Sequence, residues 1–159
     1  MERFDIPDAR DPSVVHLRRR RVIQTPLFGI YLHHIYQPDS DRDPHDHPWP
    51  FVSIMLRGGY SEEVWQVKAG ELGATPRTIA RRRWSAHGTG LRVAHIIRTL
   101  RPGTVTLVLT GRHSRTWGFW TPQGFVPWMR YVAAKAGPDP FGLPEDAPTG
   151  NGQTFRGES

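Results

Sequence analysis

Cysteine is absent from the chain, lysine is nearly so, and no long apolar run occurs. Without cysteine there can be no disulfide and no thiolate metal site, so any metal must sit on histidine, carboxylate or carbonyl ligands. No window approaches the roughly 18 apolar residues of a membrane span, and the start "MERFDIPDARDPSVV" lacks an apolar signal core. A cytoplasmic location is the expectation, with no membrane partner. The only lysines are Lys68 and Lys135, so the net charge of +6 rests almost wholly on arginine. Two clusters, Arg18 to Arg21 and Arg81 to Arg83, lack the glycine and aromatic interleaving of a single-strand-binding platform. They read as an arginine-rich surface. Nucleic acid is disfavoured as a partner, and a small anionic ligand remains open.

Helix signals are also few. Fifteen prolines and sixteen glycines cut the chain into short pieces, which suits strands and turns. Strands are expected at 27–36, 51–57, 60–67, 90–100, 103–111 and 115–120. Gly58-Gly59 reads as a hairpin turn joining the second and third of these. One helix is expected in "PWMRYVAAKAG", which starts at proline and ends at glycine. Residues 1–12 read as an N-terminal extension and 13–136 as a single all-β barrel or sandwich with its terminal helix. Residues 137–159 read as a disordered tail.

The stretch "DPHDHPWPFVSIMLRGGYSEE" carries the chemistry. His45 and His47 are two apart, so in an extended chain they point to one side and can share one ion. His95 alternates with Leu91, Val93 and Ile97 on a face expected to be buried. An imidazole there needs a partner, and an ion held by His45 and His47 would supply it. His87, in a glycine-flanked loop, is the rival third ligand. One of His33 and His34 is expected to face the interior. Asp46 points away from its two neighbours and could orient a histidine.

These residues resemble the cupin superfamily, the RmlC-like jelly rolls, whose first motif is G-x5-H-x-H-x3-4-E-x6-G. His45 and His47 fill the paired histidines, and Gly58 or Gly59 fills the closing glycine. His95 is the match for the histidine of the second motif. The resemblance covers roughly residues 27 to 120. It implies a cupin-type double-stranded β-helix with a metal inside. The motif's glutamate is missing, because positions 51 and 52 are Phe51 and Val52. A similar loss marks the three-histidine thiol dioxygenases, a local likeness that implies iron, an arginine for a substrate carboxylate and a tyrosine near the metal. Arg57, Tyr31 and Tyr60 are the candidates for those roles, and Trp49 is a candidate for the cavity mouth. "HDHPWPFVSIMLRGGYSEE" and "TLVLTGRHSRTWGFW" are also similar to cupin-like proteins of actinobacteria and their phages.

With a two-residue turn at Gly58-Gly59, Ile54 would face Glu63, about 7 Å from the place of the missing glutamate. Glu63 is therefore the expected fourth ligand, and a one-residue slip would substitute Glu62. Three histidines with open positions suit Fe(II), Mn(II), Ni(II), Cu(II) or Zn(II). Iron and a dioxygenase-like reaction on a small molecule lead. A non-catalytic ligand-binding protein, or a Lewis-acid isomerase or hydrolase, is the alternative. A homodimer is compatible with the sequence.

Overall fold

Twelve strands and one helix follow one another in the described part of the chain, residues 2–8, 11, 13–41 and 43–135 of a computed structural model. One sheet takes β1 (Glu2–Pro7), β2 (Val15–Gln24), β3 (Gly29–Ile35), β10 (Thr104–Thr110), β4 (Phe51–Arg57) and β8 (Ala86–Thr89), in that order and antiparallel throughout. The facing sheet centres on β5 (Gly59–Lys68), flanked by β7 (Arg77–Arg82) and β9 (Val93–Leu100). The short β6 (Glu71–Leu72) lies at the far end of β5. A hairpin of β11 (Gly118–Thr121) and β12 (Gly124–Pro127) leads into α1 (Trp128–Lys135). The expected all-β class with a short C-terminal helix is what the structure shows. No helix among the described residues is long and apolar enough to cross a membrane.

The two sheets close on a core of Ile35, Met55, Tyr60 and Ile97, with Leu17 and Leu100 packed against it. The side chains alternate as a half-buried strand requires. Tyr31, His33 and Ile35 line the interior beside Thr106, Val108 and Thr110. A second cluster of Val67, Ala94 and Trp120 lies on the other face of β5 and β9. Both faces in the middle of β9 are therefore buried, including Ala94 and Ile96. Arg92 and Arg98 alternate with Ala94 and Ile96, yet the middle of this outer face is dry.

Several strands escaped the sequence pattern. Arg18 to Arg21 lie within β2, Arg81 within β7 and His87 in β8 rather than in a loop. Residues 2–7, part of the expected extension, pair with β2. The expected tail lies outside the described residues.

The Gly58-Gly59 hairpin is corrected by the pairing. β4 lies between β10 and β8, whereas β5 lies between β7 and β9, so the two glycines carry the chain from one sheet to the other. Ile54 pairs with Ala86 and Leu107 and does not face Glu63. Glycine is required here because Gly58 has φ +73° and a Cβ would lie 2.4 Å from Thr104 Oγ1 and 2.7 Å from Thr104 Cα. The Gly59 N–H in turn donates to Thr104 Oγ1 at 3.0 Å. Gly70 has a similar φ of +82° but nothing within 4 Å of its would-be Cβ. Gly70→Ala should then cost roughly 1–2 kcal/mol for the left-handed backbone alone. Gly58→Ala should cost about 1–3 kcal/mol more through overpacking. Urea unfolding of both variants measures the difference, and equal losses would contradict the crossover geometry.

Candidate metal centre

The chain around His45 joins the sheet of β9. His45 and His95 exchange both backbone hydrogen bonds, at 2.9 and 2.8 Å, and His45 also bridges to Phe119 of β11. Directly opposed residues in an antiparallel pair carry their side chains on one face. That is why the two imidazoles meet, with ring centroids 4.8 Å apart. His47, two residues on, returns to the same side, with its centroid 5.1 Å from that of His95. Ligand atoms of His45, His47 and His95 all lie within 4.8 Å of one another. Among the described residues no other group of histidines and carboxylates is gathered in this way.

Asp46, fully buried, pins the segment from behind. Its carboxylate accepts the Gly118 N–H at 2.9 Å and the Trp120 Nε1–H at 3.0 Å, and it pairs with Arg115. Aromatic rings continue the support. Phe119 lies 5.9 Å from His45 and stacks on Tyr131 of α1 at 3.8 Å, while the Tyr131 hydroxyl donates to Asp43 at 2.8 Å.

Glu62, not Glu63, faces the site. Glu62 is 2% exposed and meets His95 Nδ1 at 2.7 Å. Arg81 Nε donates to its other oxygen at 2.6 Å. Glu63 lies on the opposite face and pairs with Arg98 at 2.7 Å. The physical reason is the sheet crossover, together with a register shift in the β5–β9 pairing between Ser61 and Glu62, which places Glu62 opposite Ile97 on the cavity side. Burial alone would raise the Glu62 carboxyl, but its bonds to His95 and Arg81 outweigh that and lower its pKa. An ionised carboxylate only accepts, so the proton of this bond lies on His95 Nδ1, and Nε2 is the atom turned to the cluster.

The other sequence candidates separate into two groups. Tyr31, Tyr60 and Trp49 line the interior cavity, as does His33, while the β-strand partner His34 points out of it. Arg57 is exposed beside Gly103, outside the cavity, because the chain leaves the sheet at the next residue. His87 is buried behind the site, with Nε2 3.9 Å from Glu62 Oε1 and no hydrogen-bond partner of its own. The sequence offered no role for Arg81 or Arg19. Their alternation with Leu17 and with buried neighbours was masked by the surrounding arginines.

The donor set fits a divalent transition metal. His47 Nε2 and His95 Nε2 lie 2.9 Å apart. Two nitrogens about 2.1 Å from one ion and at right angles to each other are separated by about 3 Å. In the metal-free protein the same distance is a hydrogen bond, and a metal would displace its proton. Burial holds His45 down to about 4 and His47 well below its usual range, so both are neutral, as ligation requires.

Among solved structures the chain is similar to Fe(II)-HppE with the alternative substrate (S)-1-HPP. That match has a TM-score of 0.50 at 14% identity, over 69% of this chain and 56% of that one. The chain has the cupin fold. Hydroxypropylphosphonic acid epoxidase from S. wedmorenis aligns with a TM-score of 0.49 at 12% identity, over 69% and 55% of the two chains. An RmlC-like cupin protein from Desulfovibrio desulfuricans gives 0.42 at 15% identity, over 60% and 82%. The chain thus spans just over half the length of the two epoxidase structures. No protein-family model and no curated protein matches it. Likeness at these identities shows the fold; the chemistry has to be argued from the site of this cupin-type barrel.

The depressed histidines give this barrel a pH signature. Burial is the main cause for His45 and His87, both near 4, and for His33, near 3, where Arg19 adds to it. In the unfolded chain these groups take up protons near pH 6.5. Between those values the unfolded state binds more protons, so stability falls as pH drops from about 6.5 to about 4. Thermal melts of the metal-free protein at pH 7.5, 6, 5 and 4 should show a progressive decline beginning above the carboxylate range. A flat profile down to pH 5 would contradict the neutral, buried imidazoles.

Proposed function

We propose that the protein is a metal-dependent enzyme in which His45, His47 and His95 hold Fe(II) and a small molecule is oxygenated in the barrel cavity. The observation that carries this reading is the convergence of three imidazoles on the cavity wall, with no carboxylate among them. When bound, iron would supply O₂ activation, the chemistry for which histidine-rich facial sites with open positions are suited. The Fe(II) named for the epoxidase structure supports iron as the metal.

The chain's own residues define what happens around that site. Glu62 bonds His95 Nδ1 from behind the cluster, orients that ring and balances positive charge there, with Arg81 holding the carboxylate in place. The cavity takes about 120 Å³, many times the 10–15 Å³ that one water needs. A small organic molecule fits beside the histidines. Phe51, whose ring meets His47 edge-on at 4.8 Å, and Trp49 add apolar surface to that space beside the imidazoles. Tyr60 is buried, which raises its phenol above the ordinary value, so it stays protonated and can donate.

Elemental analysis of the purified protein, followed by an oxygen-electrode assay of the Fe(II)-loaded form against a pool of small metabolites, tests the proposal. One iron per chain and substrate-dependent O₂ uptake are expected. Zinc in place of iron with no O₂ uptake would redirect the reading to Lewis-acid chemistry, and no metal at all would overturn it.

His45→Ala and His47→Ala should each abolish stoichiometric metal binding. His95→Ala should lower affinity by orders of magnitude, and His87→Ala by much less. Full metal retention in the first two variants would sink the ligand assignment. Glu62→Gln should weaken metal binding roughly 10- to 100-fold while Glu63→Gln leaves it unchanged. Competition titration with a chromogenic chelator reads all of these on one scale.

A further inference from the structure

Apart from its histidines, the cavity wall holds two charged side chains, Arg19 and Asp39. Asp39 is balanced within the protein. It accepts the Ile97 N–H at 2.6 Å and pairs with His16 at 3.3 Å. His16 is raised by that carboxylate despite its own burial, so the pair is self-compensating.

Arg19 has no such balance. It stands opposite His33 in the β2–β3 register and points inward. Its Nε donates to His33 Nε2 at 3.0 Å, and its guanidinium lies over the Tyr31 ring, 5.3 Å from the centroid. Its neighbours along the strand are differently placed. Arg18 grips Asp5 through two bonds of 2.7 and 3.0 Å, and Arg21 bonds Gln24 and pairs with Glu2. Among the described residues no carboxylate meets Arg19, and no acceptor meets its two terminal nitrogens.

A guanidinium cannot discharge to relieve its burial, and an interior cation without a counter-charge is costly. A structural role would be served as well by an apolar residue in this strand. Three neutral imidazoles would also leave the full charge of a divalent ion in the same space. Arg19 lines the same cavity as His45, His47 and His95, so the arginine and the cluster act on one compartment.

We propose that Arg19 is the anchoring group for an oxyanion on the cavity's ligand, which is therefore a small organic acid with its other end at the three histidines. This rests on the proposed function for the position of that other end. With Nε occupied by His33, the terminal nitrogens form a fork whose two N–H groups match two oxygens of a carboxylate or phosphoryl group. His33 and the Tyr31 face hold the plane of the fork, so little freedom is lost when the anion docks. Arg57, which the sequence suggested for this role, lies outside the compartment.

The test uses the full chain as purified, with its metal content measured on the same sample. Propionate, methylphosphonate and the neutral isostere propionamide are titrated by NMR or calorimetry into the wild type, Arg19→Met and Arg19→Lys. Propionate or methylphosphonate should bind the wild type roughly 10- to 100-fold more tightly than propionamide does, and whichever binds better identifies the anion. Arg19→Met should abolish that preference without changing metal content, and Arg19→Lys should restore part of it. Equal binding of propionamide and both anions to the wild type overturns the proposal, even if a variant fails to fold. Undiminished anion binding by folded Arg19→Met also overturns it. Loss of metal from the wild type would count against the metal assignment, while the anion preference would still report on Arg19.

Discussion

The site depends on two backbone hydrogen bonds between His45 and His95. Through them a proline-rich connection, which has little regular structure of its own, becomes part of a sheet. The pairing places both imidazoles on the inner face, and the alternation of an extended chain brings His47 to join them. Everything else near the site serves that arrangement. Asp46 satisfies the backbone of β11 on the outer side, so the segment cannot rotate without stranding buried donors. Phe119 and Trp117 fill the space beneath the first histidine.

Charge is managed as carefully as shape. A carboxylate as buried as Glu62 is tolerated because Arg81 and His95 both bond it. One residue later, Glu63 needs only an exposed arginine. The consequence is a centre in which burial disfavours charge on His45 and His47 while the negative charge lies one step behind, on the far side of His95. The cavity thus presents nitrogen donors and a guanidinium, with the acid held in reserve.

Much of the fold was legible because it follows elementary rules. Alternation marked β3, β4, β9 and β10 to within a few residues, and His45 and His47 declared themselves by their spacing. What stayed hidden had a common cause. In β2 and β7 an arginine occupies both inward and outward positions, so hydrophobic alternation disappears although strand geometry does not. A Gly-Gly pair signals a left-handed backbone and close approach. Whether the chain then turns back on its neighbour or passes to the facing sheet is decided by long-range pairing. That single ambiguity moved the buried acid from Glu62 to Glu63. Arg57 was assigned a ligand role only through a family resemblance, and Arg19 was passed over because it stood among three other arginines.

The stacking of Tyr131 on Phe119, and its bond to Asp43, give the end of the described chain a part in timing. Residues 43 to 47 are synthesised early, β9 later and α1 later still. The first histidines must therefore wait through the making of about fifty further residues before their sheet partner exists, and longer before the ring beneath them is covered. An emerging chain would hold only scattered imidazoles, each free to take a proton or an adventitious ion. The three imidazoles come together only after β9 has paired with the segment of His45, and the Phe119 ring is covered only once α1 has settled on it.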